Sequence, residues 1–232
     1  MAVVLYELAG ADPAVRFSPH CWKTRMALAH KGLEAECRPW RFSDKEEIAF
    51  SGQGLVPVLI DEGEAVHDSW RIALFLEARY PTRPALFPGD DSAVAGFVNA
   101  WADTTLVPFI ARTILLDIYG CLRPEDQGYF RETREKRFGA TLEAVAADRA
   151  TNLAGLDRAL APLRQVLKSQ DFIAGAEPAY ADYCVFGMFM WPRCVSGVTL
   201  LEESDPVYHW RERLLDRFDG MARKAPRVAG LG

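Results

Sequence analysis

Up to residue 80 the apolar side chains of this chain switch repeatedly between strand and helix spacing, and beyond residue 91 only helix spacing remains. That change of pattern rules out a uniform architecture, because strands and helices bury different faces and must be layered separately. The segment between, 81–91, holds three prolines and a glycine with little apolar content, the composition of a connection between two units.

Before the break, residues 2–8 are rich in strand formers. Ala9-Gly10-Ala11 imitates a leader-peptide cleavage site, but no Lys or Arg precedes the short apolar run and Glu7 interrupts it. Cys21, Trp22, Met26 and Ala29 then share one helical face over 19–31, closed by Gly32. A strand over 34–40, a short polar helix over 43–50, a strand over 56–60, a turn at 61–64 and a hairpin partner at 65–67 follow. Ser69 opens the next helix as its N-cap; Ile72, Phe75, Leu76 and Tyr80 repeat along it, and Pro81 stops it. Beyond the break, helices are expected over 92–118, 129–147, 152–168, 180–191 and 208–219. The expected fold class is therefore α/β plus all-α, with units at 1–82 and 92–232.

Composition removes several function classes. Of 232 residues half are apolar, and 27 Lys and Arg against 32 Asp and Glu leave a net charge of −5, so no basic stripe awaits nucleic acid or an anionic membrane. The longest apolar run, Tyr183 to Trp191, is far shorter than the ~20 residues of a membrane-crossing helix. Cysteines 21, 37, 121, 184 and 194 form no C-x-x-C pair, which argues for reduced thiols in a cytoplasmic protein. The four histidines, at 20, 30, 67 and 209, have no metal-ligand spacing, so no metal is expected. The charged run 131–137 reads as a solvated helix face.

Three places carry chemistry. Ser18-Pro19 joins the first strand to the first helix; it is a good helix start, and such a start also concentrates unsatisfied N–H groups that favour an anion, including a thiolate. Pro57, inside an apparent strand, cannot donate a ladder bond, so it marks an edge, a bulge or a cis turn and leaves Val56 with backbone groups to offer a short peptide. At Asp68-Ser69-Trp70 a helix start, a hydroxyl and a carboxylate together form a receptor for an α-amino acid.

These motifs resemble the thioredoxin-like domain of glutathione transferases, and the spacing of Ser18, Trp22, Lys23 and Arg25 is similar to that of serine-type classes, including the zeta class and the bacterial β-etherases. Resemblance to the latter extends through His30-Lys31-Gly32, Val56-Pro57-Val58, Leu122 to Asp126, Tyr129 to Arg131, Ala181-Asp182-Tyr183 and Asp205-Pro206. It implies an N-terminal thioredoxin-like domain followed by a C-terminal helical bundle, glutathione as cosubstrate, and a homodimer. On this resemblance Ser18 donates a hydrogen bond to the glutathione sulfur, and Val56, before a cis Pro57, pairs with the cysteinyl backbone. Asp68 and Ser69 hold the γ-glutamyl end, and Gln53, Arg41 or Lys45 meets the glycyl carboxylate. The second substrate, a hydrophobic electrophile, is expected between the domains among aromatics such as Trp22, Trp101, Phe109 and Tyr119. Cleavage of a β-aryl ether is the sharpest form of that activity. A glutathione-dependent isomerase of the maleylacetoacetate type and a non-catalytic glutathione-binding module are the alternatives. Two departures matter: Ala179 stands where the family places a capping Ser or Thr, so that helix start relies on Asp182. Ser18 replaces the cysteine of reductive members, which disfavours mixed-disulfide chemistry.

Overall fold

A computed structural model describes residues 3–90 and 92–230, the side chain of Asp90 excepted. Ala2 and Asp91, included in the expected first strand and linker, and residues 231–232 of the second unit lie outside the described residues.

The first unit alternates as the apolar spacing implies: β1 (Val3–Leu8), α1 (Pro19–His30), β2 (Ala35–Trp40), a 3-10 helix (Lys45–Ser51), β3 (Val58–Asp61), β4 (Glu64–His67) and α2 (Ser69–Arg79). The sheet runs β2-β1-β3-β4, with β1 and β2 parallel and the other two pairings antiparallel. This is the thioredoxin-like arrangement. Its register decides what meets at one end: Tyr6 lies opposite Val58, and Val58 opposite His67. The end of β1, the start of β3 and the residue after β4 therefore share an edge.

The second unit is helical: α3 (Ala93–Trp101), α4 (Val107–Thr113), α5 (Leu115–Cys121), α6 (Pro124–Phe138), α7 (Leu142–Ala147), α8 (Arg149–Ala159), α9 (Ala161–Val166), α10 (Tyr180–Val195) and α11 (Pro206–Gly220), whose regular geometry stops before Arg217. Three expected helices are divided. In 92–118 a π-turn, Ala102–Leu106, joins α3 to α4, because Pro108 has no N–H to give the carbonyl four residues back. In 129–147 the break is Gly139, whose φ of +68° closes α6, followed by Thr141, whose Oγ1 accepts the Ala144 N–H and opens α7. In 152–168 Pro162 begins a new helix. Spliced through its π-turn, Ala93–Thr113 spans 21 residues with mean hydropathy 1.2, long and apolar enough by those two measures to cross a membrane. The unbroken run Tyr183 to Trp191 did not reveal this.

One continuous cluster of buried side chains runs from Val3 to Ala222 through both units. Its central contact is α1 on α10, helix against helix at a glycine. A Cβ on Gly187 would fall 2.4 Å from the Pro19 carbonyl oxygen, so only glycine allows this approach. Asp182 holds the start of α10 as expected, accepting the N–H groups of Ile173, Ala174 and Ala179 as well as Trp210 Nε1.

Candidate functional site

Ser18 sits at the shared edge. The Phe17 N–H reaches the Leu8 carbonyl at the end of β1, and Ser18 then caps α1 with φ −62° and ψ 127°, its Oγ accepting the Cys21 N–H at 3.3 Å. An accepting hydroxyl keeps its own proton to donate. Cys21 is fully buried, and burial pushes its thiol up to about 12, so this sulfur one turn from Ser18 stays protonated. Pro57 follows a cis bond, and the β3 ladder begins only at Val58, which leaves Val56 outside it.

Across β4, Asp68 and not Ser69 caps α2: its Oδ1 accepts the N–H groups of Trp70 and Arg71 at 3.0 and 3.1 Å. Ser69 was expected as cap because hydroxyls favour that position, but the carboxylate one residue earlier takes it. Asp68 does so at φ +71° and ψ 127°, a conformation costly for a residue with a Cβ and characteristic of functional positions. Ser69 is the first helical residue, 3% exposed, and its carbonyl accepts the Tyr180 hydroxyl of α10 at 2.7 Å. Burial holds that phenol well above its ordinary pKa, so it remains a donor. Nothing in the sequence at Tyr180 announced this link.

Gln53 does not project into the edge. Its amide folds onto its own loop, Nε2 to the Leu55 carbonyl and Oε1 from the Leu55 N–H, both at 2.6 Å. Arg41 donates to the Gly10 carbonyl at 3.0 Å, and the Lys45 ammonium lies 4.4 Å from the centre of the Tyr129 ring.

The spacing Trp22, Lys23, Arg25 has a structural meaning. Trp22 is fully buried and donates from Nε1 to the Arg16 carbonyl at 2.9 Å, which corrects its expected place in a substrate pocket: the face of α1 that carries it packs inward. Arg25 stacks over the Trp22 ring and lies 3.3 Å from Glu7, a fully buried carboxylate that also faces Arg16 at 3.7 Å. Burial raises the Glu7 pKa against the pull of both guanidiniums. Lys23, equally buried, crosses to the helical unit and donates to Asn99 at 2.8 Å and Asp103 at 2.7 Å. His20, with 41% of its side chain exposed, approaches the same Asp103 at 3.9 Å.

The four aromatics expected in one acceptor pocket are not brought together. Trp101 lines an apolar hollow of ≈250 Å³ with Phe97, Leu163 and Ile173. Phe109 lines a separate one of ≈350 Å³ and packs on Gly155, where a Cβ would lie 2.3 Å from the ring. Tyr119 packs on Phe130 with the Arg131 guanidinium 4.8 Å from its ring centre. Tyr119 is on α5, whose end is tied to the loop before Ser18, the Ala11 N–H donating to the Cys121 carbonyl at 2.8 Å.

A thioredoxin-like sheet with a helix-start serine, a cis-proline edge and an acidic cap, backed by a helical unit, defines the glutathione transferase class of architecture. Family models agree: the one described as Glutathione S-transferase, N-terminal domain matches residues 13–84, and the one described as Glutathione S-transferase, C-terminal domain matches 93–218. The chain belongs to the glutathione S-transferase family. It is 33% identical over 95 residues to a probable glutathione S-transferase, GSTU1, of Oryza sativa subsp. japonica, a match covering 37% of this chain and 41% of that protein. The match thus spans about two fifths of that relative's length. Among solved structures, a glutathione S-transferase of Ceriporiopsis subvermispora in complex with glutathione superposes with TM-score 0.83 at 23% identity, covering 94% of this chain and 97% of that one. The β-etherase LigF of Sphingobium sp. strain SYK-6 superposes with TM-score 0.67 at 21% identity, covering 94% and 96%. At these identities the likeness is one of fold.

Proposed function

We propose that the chain is a glutathione transferase in which Ser18 stabilises the glutathione thiolate for attack on a hydrophobic, aromatic electrophile. One observation carries this: at a single end of the sheet lie the Ser18 hydroxyl at the start of α1, a Val56 backbone outside the ladder, and an Asp68 carboxylate with one oxygen beyond its capping bonds. These fit a γ-glutamyl tripeptide. Asp68 Oδ2 accepts the ammonium, Ser69 and the α2 start meet the α-carboxylate, and the Val56 backbone pairs with the peptide. Bound glutathione supplies the sulfur nucleophile. Ser18 Oγ–H donates to it, helped by the positive end of α1. Each unit by which a thiol pKa of ~8.5 falls corresponds to about 1.4 kcal/mol favouring the thiolate.

Cleavage of a β-aryl ether is the sharper form of the proposal, and its support is the sequence pattern that runs almost the length of the chain. The isomerase alternative requires cations for a diacid. Arg16 and Arg25 face Glu7 and Lys23 is held by Asp103, so these three do not serve it. The reading includes a cytoplasmic homodimer. It is supported by five unpaired cysteines and by apolar side chains left open on α3, Val94 at 67% and Phe97 at 74% exposure, with Phe50 at 52%.

The test is glutathione consumption with three electrophiles: a β-aryl ether ketone, a chloroarene and a maleyl diacid. Turnover of either aryl compound supports the transferase, and release of the phenol supports the ether form. Turnover of the diacid alone supports the isomerase, and glutathione binding without any turnover supports the module.

A further inference from the structure

The thiolate chemistry proposed for Ser18 leaves His20 unused. It is the second residue of α1, two positions after Ser18, and 41% of its side chain is exposed, while Pro19, Cys21, Trp22 and Lys23 around it are buried. The imidazole is therefore the part of this turn that a ligand can reach. His20 and Lys23, three residues apart, share a helix face, and Lys23 crosses to Asn99 and Asp103 of the helical unit. The His20 ring follows it: Nδ1 lies 3.9 Å from Asp103 Oδ1 in the π-turn between α3 and α4, and the Asp68 carboxylate also acts on its charge. The ring thus stands between the sheet edge that carries Ser18 and Asp68 and the helical unit, on the side from which an electrophile approaches a sulfur held at that edge.

Asp103 does not hold the ring. The separation exceeds a hydrogen bond, and Asp103 is already engaged, Oδ1 accepting from Lys23 at 2.7 Å and Oδ2 from Asn99 at 3.3 Å. Neither tautomer is imposed by that contact, so the ring proton can sit on either nitrogen. Desolvation of the inner part of the ring and the Lys23 ammonium, opposed by Asp103 and Asp68, lower its pKa to about 4. At neutral pH it is an uncharged N–H donor.

We propose that His20 donates from its ring N–H to a carbonyl oxygen of the electrophile and so makes this site specific for aromatic electrophiles activated by a carbonyl, aryl enones and α-aryloxy ketones. The inference rests on the transferase reading. With an enone, the C–S bond forms at the β-carbon, the π pair moves to the carbonyl oxygen, and the enolate takes a proton from water at the α-carbon. With an α-aryloxy ketone, the C–S bond forms as the C–O bond breaks, and the phenolate leaves with the electron pair. In both, a donor already in place at the carbonyl oxygen stabilises the charge that gathers there during attack.

The probes are trans-4-phenylbut-3-en-2-one and benzyl chloride, an aryl halide without oxygen, each assayed with glutathione and the full chain. His20→Leu lowers kcat/KM for the enone by ~10-fold or more and for benzyl chloride by less than ~3-fold. His20→Gln, which keeps an N–H donor, recovers most of the enone rate. Should His20→Leu fail to fold, His20→Met, also without a donor, carries the same comparison. Equal losses on the two substrates overturn the proposal, as does an enone rate unchanged in the variant without a donor. Ser18→Ala slows both substrates alike where the transferase reading holds. Failure of that reading therefore shows in benzyl chloride, and failure of the His20 assignment shows in the ratio of the two rates.

Discussion

At the scale of single residues, Ser18 has two roles on the proposed reading: its oxygen caps α1, and its hydroxyl donates to the glutathione sulfur. Ser18→Ala therefore lowers conjugation turnover by ~10-fold or more, leaves glutathione affinity within a few-fold, and costs about 1 kcal/mol of stability through the lost cap. Stopped-flow kinetics, calorimetry and denaturant unfolding separate the three effects, and unchanged turnover removes Ser18 from the mechanism. Asp68→Ala weakens glutathione by about 1–3 kcal/mol if the ammonium bond is charge-assisted, read as a dissociation constant by calorimetry. His20 supplies a pH dependence. Desolvation of its inner, unexposed part and the Lys23 ammonium, opposed by Asp103 and Asp68, hold its folded pKa below the ordinary 6.5. Below that value the unfolded chain takes a proton that the folded one resists, so this group's contribution to stability declines as pH falls from about 6.5 towards 4. In His20→Gln the thermal midpoint drops less over that window than in the native chain.

At the scale of elements, α1 and α10 are in contact because Gly187 offers no side chain. Gly187→Ala destabilises by about 1–3 kcal/mol through overpacking, and since Pro19 follows Ser18 it also lowers turnover. Thermal unfolding and initial rates, compared with Ala→Gly at an exposed helical site, show whether both fall together. Elements of the first unit were legible because strand and helix spacings differ there and because Ser18-Pro19, Gly32 and Pro81 punctuate them. The 92–118 reading was too simple because one proline reshapes a helix without ending it, and spacing alone does not register a π-turn. The start of α6 had its signal in Pro124-Glu125-Asp126, a proline and two acids at a helix start. Around the candidate site, the Ser18 cap and the break at Val56-Pro57 could be read because backbone demands select their residue types, while the cap of α2 was read one residue late, at Ser69 instead of Asp68. The acceptor aromatics could not, because helical spacing says which residues share a face and not which neighbour that face meets.

At the scale of the molecule, the two units are joined by polar bonds as well as by the core. Lys23 reaches Asp103, His30 meets Tyr183 at 2.7 Å, and Tyr180 holds the Ser69 carbonyl. Tyr180→Phe therefore weakens glutathione binding by a few-fold although residue 180 belongs to the helical unit, because it loosens the start of α2. Calorimetric titration checks this, and an affinity equal to that of the native chain refutes the coupling. The contact of Gly10 and Ala11 with the Cys121 carbonyl has a different bearing. The loop that delivers the hydroxyl is moored to a main-chain oxygen of the helical unit, an atom that every amino acid supplies alike. On the proposed reading, side chains along α5 can therefore be exchanged to admit other electrophiles without casting off the mooring, and the thiol-activating half of the chemistry is insulated from change in what it attacks.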